Sequence, residues 1–156
     1  MSKLRVKEIA HSNGTQALTV DANGYIHTPQ RPVWKATMSA ATSANNTIVY
    51  DTEVIDTASA YSTSNGKYTI PVDGIYVVTV QLWSASNEAD LNFAIRKGSS
   101  DIHRFAHQTT VQSGQELNTN ISMIFDFDAG DEISVFTYAA TRGNVNFNQF
   151  AGYLIG

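Results

Sequence analysis

Residues 61–78 read YSTSNGKYTIPVDGIYVV and combine two strand patterns with a tight turn. Residues 66–71 predict a short strand, and the Asp73–Gly74 pair predicts the turn that follows it. Beyond this turn, residues 75–83 are almost continuously apolar. A short apolar run of this length is typical of a strand that is buried on both faces. The segment therefore predicts a strand at the centre of a β-sheet.

Strand patterns continue on both sides of this segment. Apolar and polar residues alternate over 117–128, which predicts a long strand with one apolar face. Further strands are predicted at 33–39, 48–50, 91–96, 102–110, 133–138 and 147–155. No segment has the apolar period of about 3.6 residues that an amphipathic helix requires. About eight strands separated by turns predict an all-β sandwich or jelly roll.

The composition of the 156 residues excludes several classes of protein. Because the chain contains no Cys, we exclude disulfide frameworks, thiolate metal sites and thiol catalysis. No apolar run approaches the ~18 residues of a transmembrane helix, so we expect no membrane insertion. Residues 1–7 lack the apolar core of a secretory signal, and we expect none. The net charge of −4 argues against a nucleic-acid partner held through its phosphates.

The first 31 residues predict a separate β arm, and residues 32–156 predict the main domain, here called the head. Asn13–Gly14 and Asn23–Gly24 are tight-turn pairs between short apolar runs, which indicates a three-stranded meander. A sheet this small cannot bury its own core, so it must pack against another surface. Residues 1–35 carry a formal charge of +3 and the remaining residues −7. We expect Lys3, Arg5, Lys7 and Arg31 to attach the arm to an acidic partner.

Four segments of the head resemble the complement-one-q head domain, within the tumour necrosis factor jelly-roll superfamily. Residues 66–78 resemble its Gly-x-aromatic-Thr-x-Pro strand and the x-Gly-x-Tyr that opens its buried strand. Residues 48–54 resemble an earlier strand, and residues 130–133 a Gly-Asp-x-apolar turn. Residues 150–155 resemble the terminal Phe-x-Gly-apolar-Leu strand. The order and spacing of these motifs hold over residues 33–156.

The resemblance implies a jelly roll of about ten strands, assembled as a compact homotrimer with a non-enzymatic binding or structural role. By position in the motifs, the implied core and packing residues are Gly74, Tyr76, Phe150, Gly152 and Leu154. Aromatic residues also cluster towards the C-terminus, where the resembled family makes its subunit contacts. We expect these to divide between the core of one chain and the trimer contact; they are Tyr138, Phe147, Phe150 and Tyr153.

Candidate sites for chemistry are few. One turn is surrounded by four acids that are the candidate ligands for calcium: Asp126, Asp128, Asp131 and Glu132. The spacing of an EF-hand is absent, however, and a solvated turn is the simpler interpretation. His103 and His107 are four residues apart on a predicted strand, about 13 Å from one another, which is too far to share a metal ion. No nucleophile elbow or paired acid and base stands out. We therefore expect no cofactor, no metal and no enzymatic activity.

The arm carries a second resemblance. Residues 4–9, 13–15 and 17–26 resemble short attachment or trimerising segments that precede such heads in tailed-bacteriophage virion proteins. The implied function is a structural protein of the virion surface, assembled in the host cytoplasm.

Three roles follow for such a protein. The first is a capsid decoration, or cement, protein whose arm binds the major capsid protein. The second is a tail-fibre or receptor-binding tip, attached to tail proteins and directed at a host receptor or surface glycan. The third is a soluble carbohydrate- or protein-recognition module. We favour decoration over the tail tip because about 30 residues are too few for a long fibre shaft.

Overall fold

The computed structural model describes residues 6–28, 30–85, 90–108 and 116–156. This part of the chain is all-β, as the sequence predicts, and it has no helix long and apolar enough to cross a membrane. Its strands are β1 Glu8–Ala10, β2 Gln16–Val20, β3 Ile26–His27, β4 Val33–Thr37, β5 Asn46–Thr47, β6 Thr52–Asp56, β7 Tyr61–Ser62, β8 Lys67–Thr69, β9 Gly74–Trp83, β10 Asp90–Lys97, β11 Ser100–Gln108, β12 Asn118–Phe127, β13 Glu132–Thr137 and β14 Gln149–Leu154.

The head is a sandwich of two antiparallel sheets. The five-stranded sheet has the order β12-β9-β14-β4-β6. The six-stranded sheet has the order β11-β10-β13-β8-β7, with β5 pairing beside β13. Each sheet turns one face towards the other, and the side chains of these inner faces form the core. This arrangement is the jelly-roll sandwich that the sequence predicts.

An aromatic cluster fills the core between the two sheets. The rings of Trp34 and Tyr68 stack with centroids 4.0 Å apart, which joins β4 to β8. Phe150 on β14 meets Trp34 edge-on at 5.7 Å. The Tyr61 hydroxyl donates to the Tyr50 carbonyl at 3.0 Å and accepts from the Tyr50 N–H at 3.1 Å. Aromatic pairs of this kind add stability beyond the area that they bury.

The central strand β9 is covered on one face only within a single chain. Its inward side chains are fully buried; they are Tyr76, Val78, Val80 and Leu82. Its outward side chains are only partly covered, and Ile75 is 37% exposed. The prediction that both faces of this strand are buried is therefore wrong for one chain, because no further layer of the described residues covers the outer face of the five-stranded sheet.

Two strand predictions differ from the structure in the region before residue 61. The strand expected at 48–50 lies at β5 instead, although Ile48 and Tyr50 are completely buried. Their apolar character therefore reflects packing in the core rather than pairing in a strand. The edge strand β6 was not predicted, because four of its five residues are exposed and the sequence lacks a clear alternation there.

The arm forms its own antiparallel sheet with the order β1-β2-β3. Both predicted turns are present, and the backbone of Gly14 and of Gly24 has a φ of 88°, which suits glycine. Ile9 pairs with Leu18, and Val20 pairs with Ile26, so these four side chains share one face. Ile9 is 54% and Ile26 65% exposed. The described arm thus presents an apolar face that its own strands leave open.

The head has two ends, defined here by the direction of β4. The arm end holds the start of β4, the Asp73–Gly74 turn and residues 128–131. At this end the N–H of Leu154 donates to the carbonyl of Pro32. The far end holds the last residue of β9, the start of β12 and residues 139–148. Residues 40–43, 46, 47, 49 and 51 line a pocket of about 420 Å³ near the far end.

Candidate functional site

The outer face of the five-stranded sheet carries a row of apolar side chains across four strands. Ile124 of β12 pairs with Val77 of β9, Val77 pairs with Tyr153 of β14, and Tyr153 pairs with Val33 of β4. Paired residues of an antiparallel sheet project from the same face, so the four form one continuous row. Ile124 is 65% and Tyr153 47% exposed. We call these four residues the apolar row.

The rest of this outer face is polar but almost free of charge. The hydroxyl groups of Thr79 and Ser122 are hydrogen-bonded at 2.7 Å, and the Gln81 amide donates to Asn118 at 3.3 Å. Over the described strands β12, β9, β14 and β4, the charged residues at outward positions are Asp126 and Lys35. A surface that combines exposed apolar groups with few charges is typical of the core of a protein–protein interface.

Two aromatic rings extend this face at the far end. The rings of Trp83 and Phe147 lie 4.6 Å apart, and the Arg142 guanidinium sits 4.6 Å from the Trp83 ring. Arg142 also forms an ion pair with Glu116. The sequence predicted a role for Phe147 but not for its partners, because Trp83 lies 64 residues away along the chain.

Asn148 holds the loop at the far end of the head, and the sequence did not predict this role. Its side chain is fully buried. Its oxygen accepts from the Trp83 N–H at 2.8 Å, while its nitrogen donates to the carbonyls of Arg142 at 2.7 Å and Asn144 at 3.1 Å. No sequence motif marks this residue, since its three partners are all backbone groups.

We expect Asn148→Ala to lower the free energy of unfolding by about 2–4 kcal/mol, because it removes the side-chain partner of the buried Trp83 N–H and of the Arg142 carbonyl. Urea denaturation followed by circular dichroism would measure the loss. Asn146→Ala is the matched control, since that side chain is exposed and should change the stability by less than about 0.5 kcal/mol. Equal losses in the two variants would contradict the role assigned to Asn148.

The residues that the sequence motifs grouped together lie in different parts of the structure. Tyr76, Phe150 and Gly152 lie in the core, and Leu154 packs against it. At Gly74 a side chain would approach Leu154 Cδ1 to 2.7 Å, so close packing requires glycine there. Of the C-terminal aromatics, Tyr153 and Phe147 lie on the outer face of the five-stranded sheet. Tyr138 lies on the opposite, six-stranded sheet and contacts Arg96 and Asp101.

The four acids proposed for calcium do not converge. Lys97 Nζ lies 2.5 Å from Asp131 and 4.0 Å from Asp128, while Glu132 pairs with Lys67 at 2.7 Å. The hydrogen bond from Lys97 lowers the pKa of the Asp131 carboxyl. Asp126 lies on the outer face of β12. Within the described ranges, no group of three acidic or histidine side chains is arranged to hold a metal ion.

Two of the four arm cations can be placed. The Arg31 guanidinium donates to the Ile155 carbonyl, and the Arg31 carbonyl accepts from the Thr57 hydroxyl at 2.8 Å, so Arg31 joins the arm to the head. Lys7 is exposed beside β1. Lys3 and Arg5 lie outside the described residues. Arg31 therefore contacts its own chain, whereas the sequence analysis assigned it to attachment.

The comparisons with known proteins agree on the fold. The family model described as the C1q domain matches residues 33–155. The globular domain of zebrafish complement 1qA is 15% identical, covers 81% of this chain and 98% of its own, and has a TM-score of 0.66. Eiger TNF from S. frugiperda is 10% identical over 81% of this chain and 94% of its own, with a TM-score of 0.68. Murine APRIL at pH 5.0 is 11% identical over 80% and 99%, with a TM-score of 0.65. No curated protein sequence matches the chain.

Proposed function

The chain belongs to the C1q domain family, and from this premise we propose that it is a non-enzymatic binding or structural module that works as a homotrimer. The observation that carries the proposal is the apolar row on the outer face of the five-stranded sheet. Domains of the C1q and TNF type are generally binding modules that form homotrimers. Three chains that meet through this face would cover Ile124, Val77 and Tyr153. The outward charges on β12, β9, β14 and β4 are one negative, Asp126, and one positive, Lys35.

The charge distribution supports the same assembly. A head with a formal charge of −7 beyond residue 35 would repel its copies if the acids met at the contact. The acids instead lie largely away from the apolar row, at turns and on the six-stranded sheet, where several pair with cations. Light scattering of the purified chain tests the proposal: a mass three times the 17.0 kDa of one chain is expected, and a stable monomer would overturn it.

For the biological role, we propose a protein of the bacteriophage virion surface, most simply a capsid decoration protein. The support is the arm: its exposed apolar face needs a partner, and its positive charge favours an acidic one. The major capsid protein is the proposed partner. Copy number separates this role from a tail tip, because decoration requires hundreds of copies per particle and a tail tip only a few trimers.

Deletion of residues 1–31 is expected to leave a folded, trimeric head that no longer binds particles, because the arm has its own sheet and the head its own core. Circular dichroism and light scattering would check the head, and co-sedimentation with particles would check attachment. Replacing Lys3, Arg5 and Lys7 by Ser in the full chain separates the effect of charge from that of the arm sheet. Attachment that survives the deletion would show that the arm is not the anchor.

A recognition role at a tail tip is the second candidate. The observation that favours it is the ring pair at the far end, opposite the arm, in which Phe147 is exposed and Trp83 is half-buried. Aromatic rings among neutral amides are common in surfaces that bind sugars or proteins. Binding of the isolated trimer to host surface glycans, together with a copy number of a few trimers per particle, would favour this role over decoration.

A further inference from the structure

Two cations of the head, Lys35 and Arg104, have no carboxylate within ion-pair distance among the described residues. Of the five cations in residues 36–156, four pair with carboxylates: Lys67 with Glu132, Arg96 with Asp101, Lys97 with Asp131, and Arg142 with Glu116. The fifth is Arg104 on β11. Among the described residues, no carboxylate lies within ion-pair distance of it.

The Arg104 guanidinium is nevertheless held in place. Its carbon lies 3.9 Å from the centre of the Tyr138 ring, and its Nε donates to the Asn92 side-chain oxygen at 3.0 Å. The two terminal nitrogens of this guanidinium have no hydrogen-bond partner within the described ranges. Stacking and one hydrogen bond therefore orient the group while its outer edge remains open to solvent.

The nearest carboxylate is already occupied by other groups. Asp101 accepts from Arg96 Nε at 2.7 Å through one oxygen and from the Tyr138 hydroxyl through the other. Arg96 in turn lies over the Phe136 ring at 3.3 Å and donates to the Tyr138 hydroxyl at 3.1 Å. Because each oxygen of Asp101 has a donor, the carboxylate holds Arg96 and Tyr138 in position and leaves Arg104 unpaired.

The surroundings of Arg104 include one small exposed side chain. Ala106 pairs with Asn92 and is exposed, whereas Ala94, which pairs with Arg104, is only 1% exposed. The Asn92 amide nitrogen has no partner among the described residues and is available to donate to a hydroxyl. Arg96, Arg104 and Asp101 together carry one positive charge. The site therefore offers a planar cationic fork, a neighbouring amide donor and a net charge matched to a monoanion.

We propose that this outer surface, defined by Arg104, Asn92 and Tyr138, binds a saccharide that carries a carboxylate. The planar fork pairs with both oxygens of a carboxylate, and the net charge of +1 suits this monoanion better than a dianion. The Asn92 amide and the exposed Ala106 beside it accommodate a hydroxylated ring. The site lies on the six-stranded sheet, so it stays open in the proposed trimer and does not depend on that assembly.

The test uses the full-length protein and NMR titration with glucuronate, with glucose as the neutral control. Saturable shifts at the Arg104 guanidinium and at the Asn92 and Tyr138 amides are expected with glucuronate and absent with glucose. Arg104→Gln should weaken binding by about tenfold or more, because it removes the charged fork. Arg104→Lys keeps the charge without the fork and should restore only part of the affinity.

Three results would overturn the proposal. The first is no saturable shift with glucuronate at tens of millimolar, with the spectrum showing a folded protein. The second is a tighter response to inorganic phosphate than to glucuronate at the same signals, which would reject the carboxylate class. The third is binding of an oligoglutamate peptide without any response to glucuronate, which would make the surface a protein contact instead.

Discussion

Ile124→Asp is expected to convert the trimer into a monomer of 17.0 kDa, the largest change in assembly that one substitution should produce. Ile124 begins the apolar row on β12 and is 65% exposed in one chain, so an aspartate there should disturb the folding of a single head little. In the proposed trimer the same carboxylate would be buried three times without a partner. Burial of unpaired charge is strongly unfavourable, so association should fail.

Light scattering and sedimentation at micromolar concentration would measure the mass. Val54→Asp is the matched control: Val54 is 51% exposed on the edge strand β6 and lies outside the apolar row, so this variant should remain trimeric. Loss of the trimer in both variants would indicate a general effect of added charge. A trimeric Ile124→Asp protein would show that the subunits meet through another surface.

Gly152→Val is expected to reduce the stability of the head by about 3–5 kcal/mol or to prevent folding. Gly152 pairs with Trp34 on β4 and with Val78 on β9, at the middle of the five-stranded sheet. A Cβ at this position would overlap Cη2 and Cζ2 of Trp34 and lie 2.5 Å from the Val77 carbonyl oxygen. Trp34 is 1% exposed and stacked on Tyr68, so it has no space into which to move.

The steric cause can be separated from a general effect of replacing glycine by three further substitutions, which are Gly98→Ala, Gly152→Ala and Trp34→Leu. Gly98→Ala introduces a side chain where nothing lies within 4 Å, so only the positive φ of 60° opposes it, and a loss of about 1–2 kcal/mol is expected. Trp34→Leu removes the ring that Gly152→Ala would strike. In urea denaturation, the double variant Gly152→Ala/Trp34→Leu should therefore lose at least ~1 kcal/mol less free energy of unfolding than the two single variants lose together. Strict additivity would contradict the steric explanation.

The sequence identified most of the fold because its signals are local. Alternation over 117–128 predicted β12, with Phe127 and Phe125 inward and Ile124 outward, since side chains change face at every residue of a strand. The segment 61–78 predicted β8, the turn at Gly74 and β9. The edge strand β6 was not found, because exposed residues without alternation leave no such signal.

Residue roles that rest on distant partners could not be predicted in the same way. Tyr138 and Tyr153 were grouped because they lie near the C-terminus, but they project from opposite sheets of the head. Asn148 looked like any other asparagine, and its importance comes from three backbone groups that only the folded loop brings to it. The four acids near residue 130 suggested a metal site, whereas three of them form ion pairs with Lys97 or Lys67.

By itself, the sequence determined the strand pattern, the tight turns and the division between a basic arm and an acidic head. The tertiary structure decided which face of the five-stranded sheet stays uncovered, and that Asp101 pairs with Arg96 rather than Arg104. The physical reason is that strand alternation depends on neighbours two residues apart. The covering of a face and the pairing of a charge depend on strands that register and packing bring together from distant parts of the chain.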